Sequence, residues 1–168
     1  MDYNPPFLDA LKQGILLERK GKAFYLVAAS QTESPAVKAF FNEMAAEEII
    51  HDRYLSQIFA NYQRSGEITN IDFSNSDIRK ASRTVIDQSL ITSISSAGYE
   101  AAAISAAIDM EKRSIDLYTS QAEKSTDRET RDMFLFLSNW EKEHLAVLMQ
   151  IDAEFREKVW LDNNFWPF

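Results

Sequence analysis

The chain has 168 residues, enough for one domain with a sizeable core, and its formal net charge of −8 argues against a nucleic-acid-binding surface. It contains no cysteine, which excludes disulfides, thiol nucleophiles and cysteine-ligated zinc or iron–sulfur centres within these residues. The sequence shows no apolar run long enough to cross a membrane and no signal-peptide pattern, so we expect a cytoplasmic protein without a membrane partner.

The first half of the chain predicts two long helices. Only 4 glycines and 4 prolines occur in the whole chain, and strand-like alternation of apolar and polar residues is almost absent. We predict the first helix over about residues 7–31 and the second over about 35–64. Ser34-Pro35 is a typical helix start, and Ser65-Gly66 is a typical helix end, so both boundaries of the second helix carry a signal.

The second half predicts two further helices after one long connection. Residues 65–96 are rich in Ser, Thr, Asn and Asp and are predicted to form a crossover. A third helix is predicted over about 97–125 and a fourth over about 127–158, where Thr126-Asp127-Arg128-Glu129 has capping-box spacing. Residues 159–168 form an aromatic tail, which we expect to pack on the bundle or on a partner subunit.

The connection lengths predict how the helices are arranged. Short connections between the first and second helices and between the third and fourth imply two antiparallel helical hairpins. The long crossover allows the second hairpin to pack beside the first. We therefore predict an all-α four-helix bundle that forms a single domain over residues 1–168.

The second predicted helix has two polar residues in the middle of an apolar face. Positions spaced alternately by four and three residues form this face, and Glu48 and His51 lie at its centre, one helical turn apart. The chain holds only two histidines, and the other, His144, follows Glu141 with the same spacing in the fourth predicted helix. Because a buried unpaired charge is costly, each pair needs a partner, and a metal ion is one.

An internal repeat links these pairs to the other two helices. Glu18 and Glu111 each precede the glutamate of a Glu-x-x-His pair by 30 residues. Tyr25 and Tyr118 follow those two glutamates by seven residues. Shifting the chain by 93 residues superposes all these positions, so we expect two half-sites related by a pseudo-twofold axis.

Four carboxylates and two imidazoles predict a site for two metal ions. We expect Glu18 and His51 to bind one ion, and Glu111 and His144 to bind the other. Glu48 and Glu141 are expected to bridge the two ions. Without thiolates, this donor set suits iron, manganese or zinc. Four carboxylates would neutralise two divalent ions, and a pair of irons suits redox chemistry with peroxide or dioxygen.

Other residues near the predicted ligands have either a supporting role at the site or an ordinary structural one. Tyr25 and Tyr118 could each hydrogen-bond a ligand carboxylate across the bundle, or could simply pack in the core with a satisfied hydroxyl. Gly21 and its repeat-related residue Ser114 are small, which could leave room for an oxidant or serve close helix packing. Three further glutamates are expected on the solvated face: Glu43, Glu47 and Glu143.

These motifs resemble the ferritin-like superfamily, and within it the di-iron domain of the rubrerythrin family, over about residues 7–158. The resemblance implies a ferritin-like bundle, a non-haem di-iron centre and a homodimer, with activity on hydrogen peroxide and ferroxidase activity in relatives. The chain departs from the family pattern in two ways. Without cysteine it cannot carry a rubredoxin centre, so electrons would come from a separate rubredoxin-like protein or from Fe(II). Ser114 stands where rubrerythrins tend to have an additional glutamate.

Three functions follow as alternatives. The first is a di-iron oxidoreductase that reduces hydrogen peroxide or dioxygen at a carboxylate-bridged centre. The second is an iron-binding or ferroxidase protein that sequesters or delivers iron without fast turnover. The third is a metal-bearing bundle with a structural or interaction role and no catalysis.

Overall fold

The structure is a computed structural model that describes residues 5–68, 90 and 98–162, with side chains described only as far as 157 in the last segment. The described residues form four helices and no strand: α1 Pro5–Gln31, α2 Pro35–Ser65, α3 Tyr99–Lys124 and α4 Arg128–Asp162. The predicted all-α fold is thereby confirmed. Most of the predicted crossover, and residues 163–168 of the predicted aromatic tail, lie outside the described residues.

Both ends of α2 carry the capping interactions that their sequences predict. The Ser34 side-chain oxygen accepts a hydrogen bond from the Val37 backbone N–H at 3.3 Å, with Pro35 in the first turn. Gly66 ends the helix in the left-handed region, with φ of 74°, and donates its backbone N–H to the Tyr62 carbonyl.

The start of α4 differs by one residue from the predicted capping box. Asp127 Oδ1 accepts the backbone N–H of Thr130 at 2.7 Å, so Asp127 caps the helix in place of Thr126. A carboxylate at this position also interacts favourably with the positive end of the helix dipole, which explains why the aspartate is used.

The helices form two antiparallel hairpins that pack against each other. Phe7 near the start of α1 contacts Tyr62 near the end of α2, with ring centroids 4.6 Å apart. Tyr118 and Phe134 make the corresponding contact between the end of α3 and the start of α4, at 6.4 Å. α1 also packs along α3, which joins the hairpins. None of the helices described contains an apolar stretch that could span a bilayer.

Two apolar clusters divide the core and leave a polar layer between them. One lies towards the α1–α2 connection and includes Leu90 from the long connection; its large members include Tyr25, Phe41, Met44, Ile104, Leu148 and Ile151. The other lies towards the opposite end and includes Phe7, Leu11, Leu55, Tyr118, Phe134, Leu137 and Trp140. Apolar packing on both sides keeps water from the polar layer and fixes the helices that carry it.

Candidate metal centre

The polar layer contains all six residues for which the sequence predicts metal ligation. Each is at most 3% exposed, and the four helices all contribute: Glu18 from α1, Glu48 and His51 from α2, Glu111 from α3, and Glu141 and His144 from α4. The inward stripe of each helix dictates this convergence, since residues three and four apart share a face. Their role as ligands stays a prediction, but their proximity is a property of the fold.

His144 faces three carboxylates with one ring nitrogen. Its Nδ1 lies 3.7 Å from Glu48 Oε1, 3.8 Å from Glu111 Oε1 and 3.7 Å from Glu141 Oε2. These distances are too long for hydrogen bonds, and Nδ1 is buried without any hydrogen-bond partner. Donor atoms separated in this way could surround a metal ion with bonds of about 2.0–2.2 Å.

His51 occupies the corresponding place in the other half of the layer. Its Nδ1 lies 3.1 Å from Glu18 Oε2 and 2.9 Å from Glu141 Oε1, and 3.8 Å from Glu48 Oε2. The two imidazole rings are nearly parallel, with centroids 5.1 Å apart. The two half-sites therefore face each other across the centre of the bundle.

The groups that could hold an ion overlap at the two central glutamates. One comprises Glu18, Glu48 and His51, and a second comprises Glu48, Glu111, Glu141 and His144. Glu48 belongs to both, and Glu141 also lies close to both histidines in a third group. This arrangement allows Glu48 and Glu141 to bridge two ions, as the sequence predicts.

Several polar atoms in the layer lack hydrogen-bond partners among the described residues. They are His51 Nε2, Glu141 Oε1 and His144 Nδ1. A cation between the carboxylates would satisfy His144 Nδ1 and Glu141 Oε1, of which the latter also lies 2.9 Å from His51 Nδ1. Buried polar groups in folded proteins are normally paired, so their concentration here requires a reason. Carboxylate oxygens and neutral imidazole nitrogens are the ligands that iron, manganese and zinc accept, and the residues present fit such ions.

The pKa values of the layer show how costly its charges are in the absence of a cation. Burial raises the pKa of Glu48 well above 4.5, and repulsion from Glu18 and Glu141 adds to the rise. Burial and repulsion from Glu141 likewise raise the pKa of Glu111 well above its ordinary value. Bound divalent ions would remove this repulsion, because they supply the positive charge that four carboxylates need.

One carboxylate is held in its charged form by a histidine. Burial opposes ionisation of Glu141, but attraction to His51 outweighs it and lowers the Glu141 pKa to about 2. Burial also works against protonation of His51, yet attraction to Glu141 and Glu18 raises the His51 pKa well above 6.5. In the metal-free protein, the raised pKa of His51 favours its protonated form, whose positive charge pairs with Glu141.

Tyrosines on one hairpin bind glutamates on the other. Tyr25 on α1 donates its hydroxyl to Glu111 Oε1 on α3, and Tyr118 on α3 donates to Glu18 Oε1 on α1. Burial raises the pKa of both phenols well above 10, and the neighbouring carboxylates raise it further. Both phenols therefore remain protonated donors, which fixes the orientation of the carboxylates they contact.

Gly21 leaves space for the carboxylate of Glu48. A methyl group at this position would lie 3.0 Å from Glu48 Cδ and 3.2 Å from both of its carboxylate oxygens. The small residue therefore permits close approach of a central glutamate to α1. Its repeat-related residue, Ser114, is also buried, at 5% exposure.

Glu47 does not lie on the solvated face, and that expectation was wrong. It is 3% exposed, and its Oε2 lies 2.5 Å from His144 Nε2 on α4. Glu43 and Glu143 are exposed, as expected. The missed signal was a second inward stripe of α2 with the same four–three spacing: Phe40, Met44, Glu47, His51, Tyr54 and Ile58, all of them buried.

Trp140 also contacts the layer, and the repeat places it on the α4 stripe equivalent to the one that contains Glu47. Its indole packs against the His51 imidazole, with ring centroids 3.9 Å apart and planes inclined at 55°. The residue immediately precedes Glu141, as Glu47 precedes Glu48, so the same repeat position holds a carboxylate in one half and an indole in the other.

One of three comparisons with known proteins gives a match. The sequence model of the family described as Rubrerythrin matches residues 9–151, which is most of the chain and includes every residue of the polar layer. A search of curated proteins gave no match. A search of solved structures also gave none. On the evidence of the family match, the chain belongs to the rubrerythrin family.

Proposed function

We propose that the protein is a di-iron oxidoreductase that reduces hydrogen peroxide or dioxygen. The observation that carries this proposal is the buried layer of four carboxylates and two imidazoles, in which potential ligand atoms lack hydrogen-bond partners. Membership of the rubrerythrin family supports iron as the metal. Manganese and zinc suit the same ligands, and zinc would support no redox chemistry.

The residues of the layer have separate roles in this proposal. Glu18 with His51, and Glu111 with His144, would hold one ion each, and Glu48 and Glu141 would lie between the two ions. When bound, a pair of ferrous ions supplies two electrons together, so hydrogen peroxide can take up two electrons and two protons and give two waters. The apolar clusters on either side keep bulk water from the reacting atoms.

Electrons for repeated turnover would come from outside these 168 residues. They contain no cysteine and thus no rubredoxin-type centre. A separate rubredoxin-like protein is the donor we propose, and Fe(II) itself would serve in a ferroxidase reaction. The homodimer implied by the family resemblance is part of the same proposal, and light scattering in solution tests it.

The decisive experiment combines metal analysis with a peroxide titration. Protein purified without oxygen should contain about two irons per chain and develop near-ultraviolet absorption on oxidation. Steady consumption of peroxide with an added reductant would support the oxidoreductase. A single oxidation without turnover would favour iron sequestration or delivery.

A matched pair of variants makes the result specific to the layer. Glu48→Ala combined with Glu141→Ala should remove most of the bound metal, because both central glutamates are lost. Glu43→Ala combined with Glu143→Ala changes the same number of glutamates on the same two helices, but at exposed positions, and should leave the metal content unchanged. Wild-type protein without bound metal would refute the proposed function.

A further inference from the structure

The two halves of the polar layer differ at one pair of repeat-related positions. Glu47 and Trp140 are 93 residues apart, the same shift that relates Glu48 to Glu141 and His51 to His144. Both are buried, at 3% and 5% exposure. The pseudo-twofold symmetry of the ligand set is thus broken among the residues immediately around it.

On one side, Glu47 supports His144 from behind. Its carboxylate contacts His144 Nε2, and the other ring nitrogen, Nδ1, is left facing the carboxylates of the layer. A carboxylate that accepts the outer N–H of a histidine fixes the ring orientation and the tautomer, and it makes the inner nitrogen a better metal ligand. Glu47 is also a fifth buried carboxylate in addition to the four of the layer, and its place beside His144 increases the attraction for a cation on this side.

On the other side, His51 has no such support. The indole of Trp140 packs against its ring, and His51 Nε2 is buried without a hydrogen-bond partner. No hydrogen bond to Nε2 from the described residues therefore favours the tautomer that would present a free Nδ1 to a metal. The inner nitrogen instead lies 3.1 Å from Glu18 Oε2 and 2.9 Å from Glu141 Oε1.

The number of neighbouring glutamates is the same for the two histidines. Each Nδ1 has three glutamates within 3.8 Å, and Glu48 and Glu141 belong to both sets. The difference between the two positions therefore comes from the residues behind the histidines, Glu47 on one side and Trp140 on the other.

We propose that the two metal positions are inequivalent: the position at His144, supported by Glu47, fills first and binds more tightly, and the position at His51, beside Trp140, fills second and exchanges more readily. This inference rests on the proposed dimetal centre. Glu47 acts here as a positioning residue, because it reaches the ion only through His144.

Cobalt(II) binding tests the order without reference to catalysis. Calorimetric titration of the metal-free wild-type protein should show two steps whose affinities differ by about 10- to 100-fold. Crystals grown with one equivalent of Co²⁺ should show anomalous scattering next to His144 and little next to His51. This measurement needs no variant, so the order of filling can be decided even if a substitution prevents folding.

Variants then assign the cause to Glu47. Glu47→Gln should weaken the affinity of the first step by about 10- to 100-fold, so that the two steps have similar affinities. Glu47→Asp should restore part of the difference in affinity. Glu43→Gln, at an exposed position one turn earlier on α2, is the matched control and should behave as wild type. His51→Ala should abolish the second step, and His144→Ala the first.

The possible failures are distinguishable. Two ions that bind with equal affinity, a first ion located at His51, or a Glu47→Gln variant with wild-type affinities would each overturn the inequivalence and leave the dimetal centre intact. Failure of the wild-type protein to bind two ions would instead overturn the proposed function itself.

Discussion

Tyr118 donates a hydrogen bond to Glu18 across the bundle, from α3 in one hairpin to α1 in the other. Both residues are at most 1% exposed. Gly14 permits this packing, since a methyl group there would lie 3.0 Å from the Tyr118 hydroxyl. Together with the reciprocal bond from Tyr25 to Glu111, this contact connects the two hairpins at the level of the polar layer.

Replacing Tyr118 with phenylalanine should destabilise the metal-free protein. The substitution leaves a buried carboxylate oxygen of Glu18 without its donor, so we expect the free energy of unfolding to fall by about 1–3 kcal/mol. Urea unfolding in the presence of a chelator measures this change. Tyr99→Phe removes a hydroxyl from an exposed tyrosine on the same helix and should change stability by less than about 0.5 kcal/mol. Equal stabilities of the two variants would show that the Tyr118 hydroxyl contributes nothing.

Replacing Gly21 with alanine should raise the stability of the metal-free protein and lower its affinity for metal. Alanine favours helix by about 1 kcal/mol over glycine, so the metal-free protein should gain up to that amount. The added methyl group meets the Glu48 carboxylate and must displace it, so metal affinity should fall by roughly tenfold.

Unfolding with and without chelator, together with calorimetric titration of Co²⁺, gives both quantities for Gly21→Ala. Lys20→Ala, at the exposed position just before it on α1, is the control and should leave the affinity unchanged. Unchanged affinity in Gly21→Ala would mean that Glu48 can move without consequence for binding.

The fold and the composition of the polar layer could be read from the sequence because local geometry determines both. Alternating four- and three-residue spacing places Glu48 and His51 on one face of α2, and the repeat supplies the equivalent face of α4. The partner of Glu47 could not be predicted in the same way. Its contact with His144 joins residues 97 positions apart, and it depends on how two helices are rotated against each other.

The stability of the metal-free protein should fall as pH rises. A group whose pKa is higher in the folded protein stabilises it at low pH, and this contribution is lost as pH rises through the raised pKa. The stabilising contribution of protonated Glu48 and Glu111 is lost as pH rises above about 4.5, and that of protonated His51 as pH rises above about 6.5. Glu141, whose pKa is lowered to about 2, has the opposite effect, but only below about pH 4.5.

The metal-bound protein should show the opposite trend in the same pH range. Metal ions compete with protons for the same carboxylates, so metal affinity and the stability it confers rise with pH. Urea unfolding at about pH 5 and about pH 8, with chelator and with excess Co²⁺, should therefore give slopes of opposite sign. Parallel slopes would indicate that the buried glutamates do not titrate as their environment implies.

The two central glutamates should respond oppositely to the same substitution in the metal-free protein. Glu48 is repelled by its neighbours, so Glu48→Gln should raise the free energy of unfolding at about pH 8 by about 1 kcal/mol or more. Glu141 neutralises His51, so Glu141→Gln leaves a buried cation with a weakened partner and should lower it by about 3 kcal/mol. Both variants should bind metal weakly, so unfolding must be measured with chelator, and Glu143→Gln on the exposed face of α4 serves as the control. Changes of the same sign in the free energy of unfolding would contradict the distribution of charge described for the layer. Only an asymmetric environment can make the charge of one glutamate destabilising and that of the other stabilising.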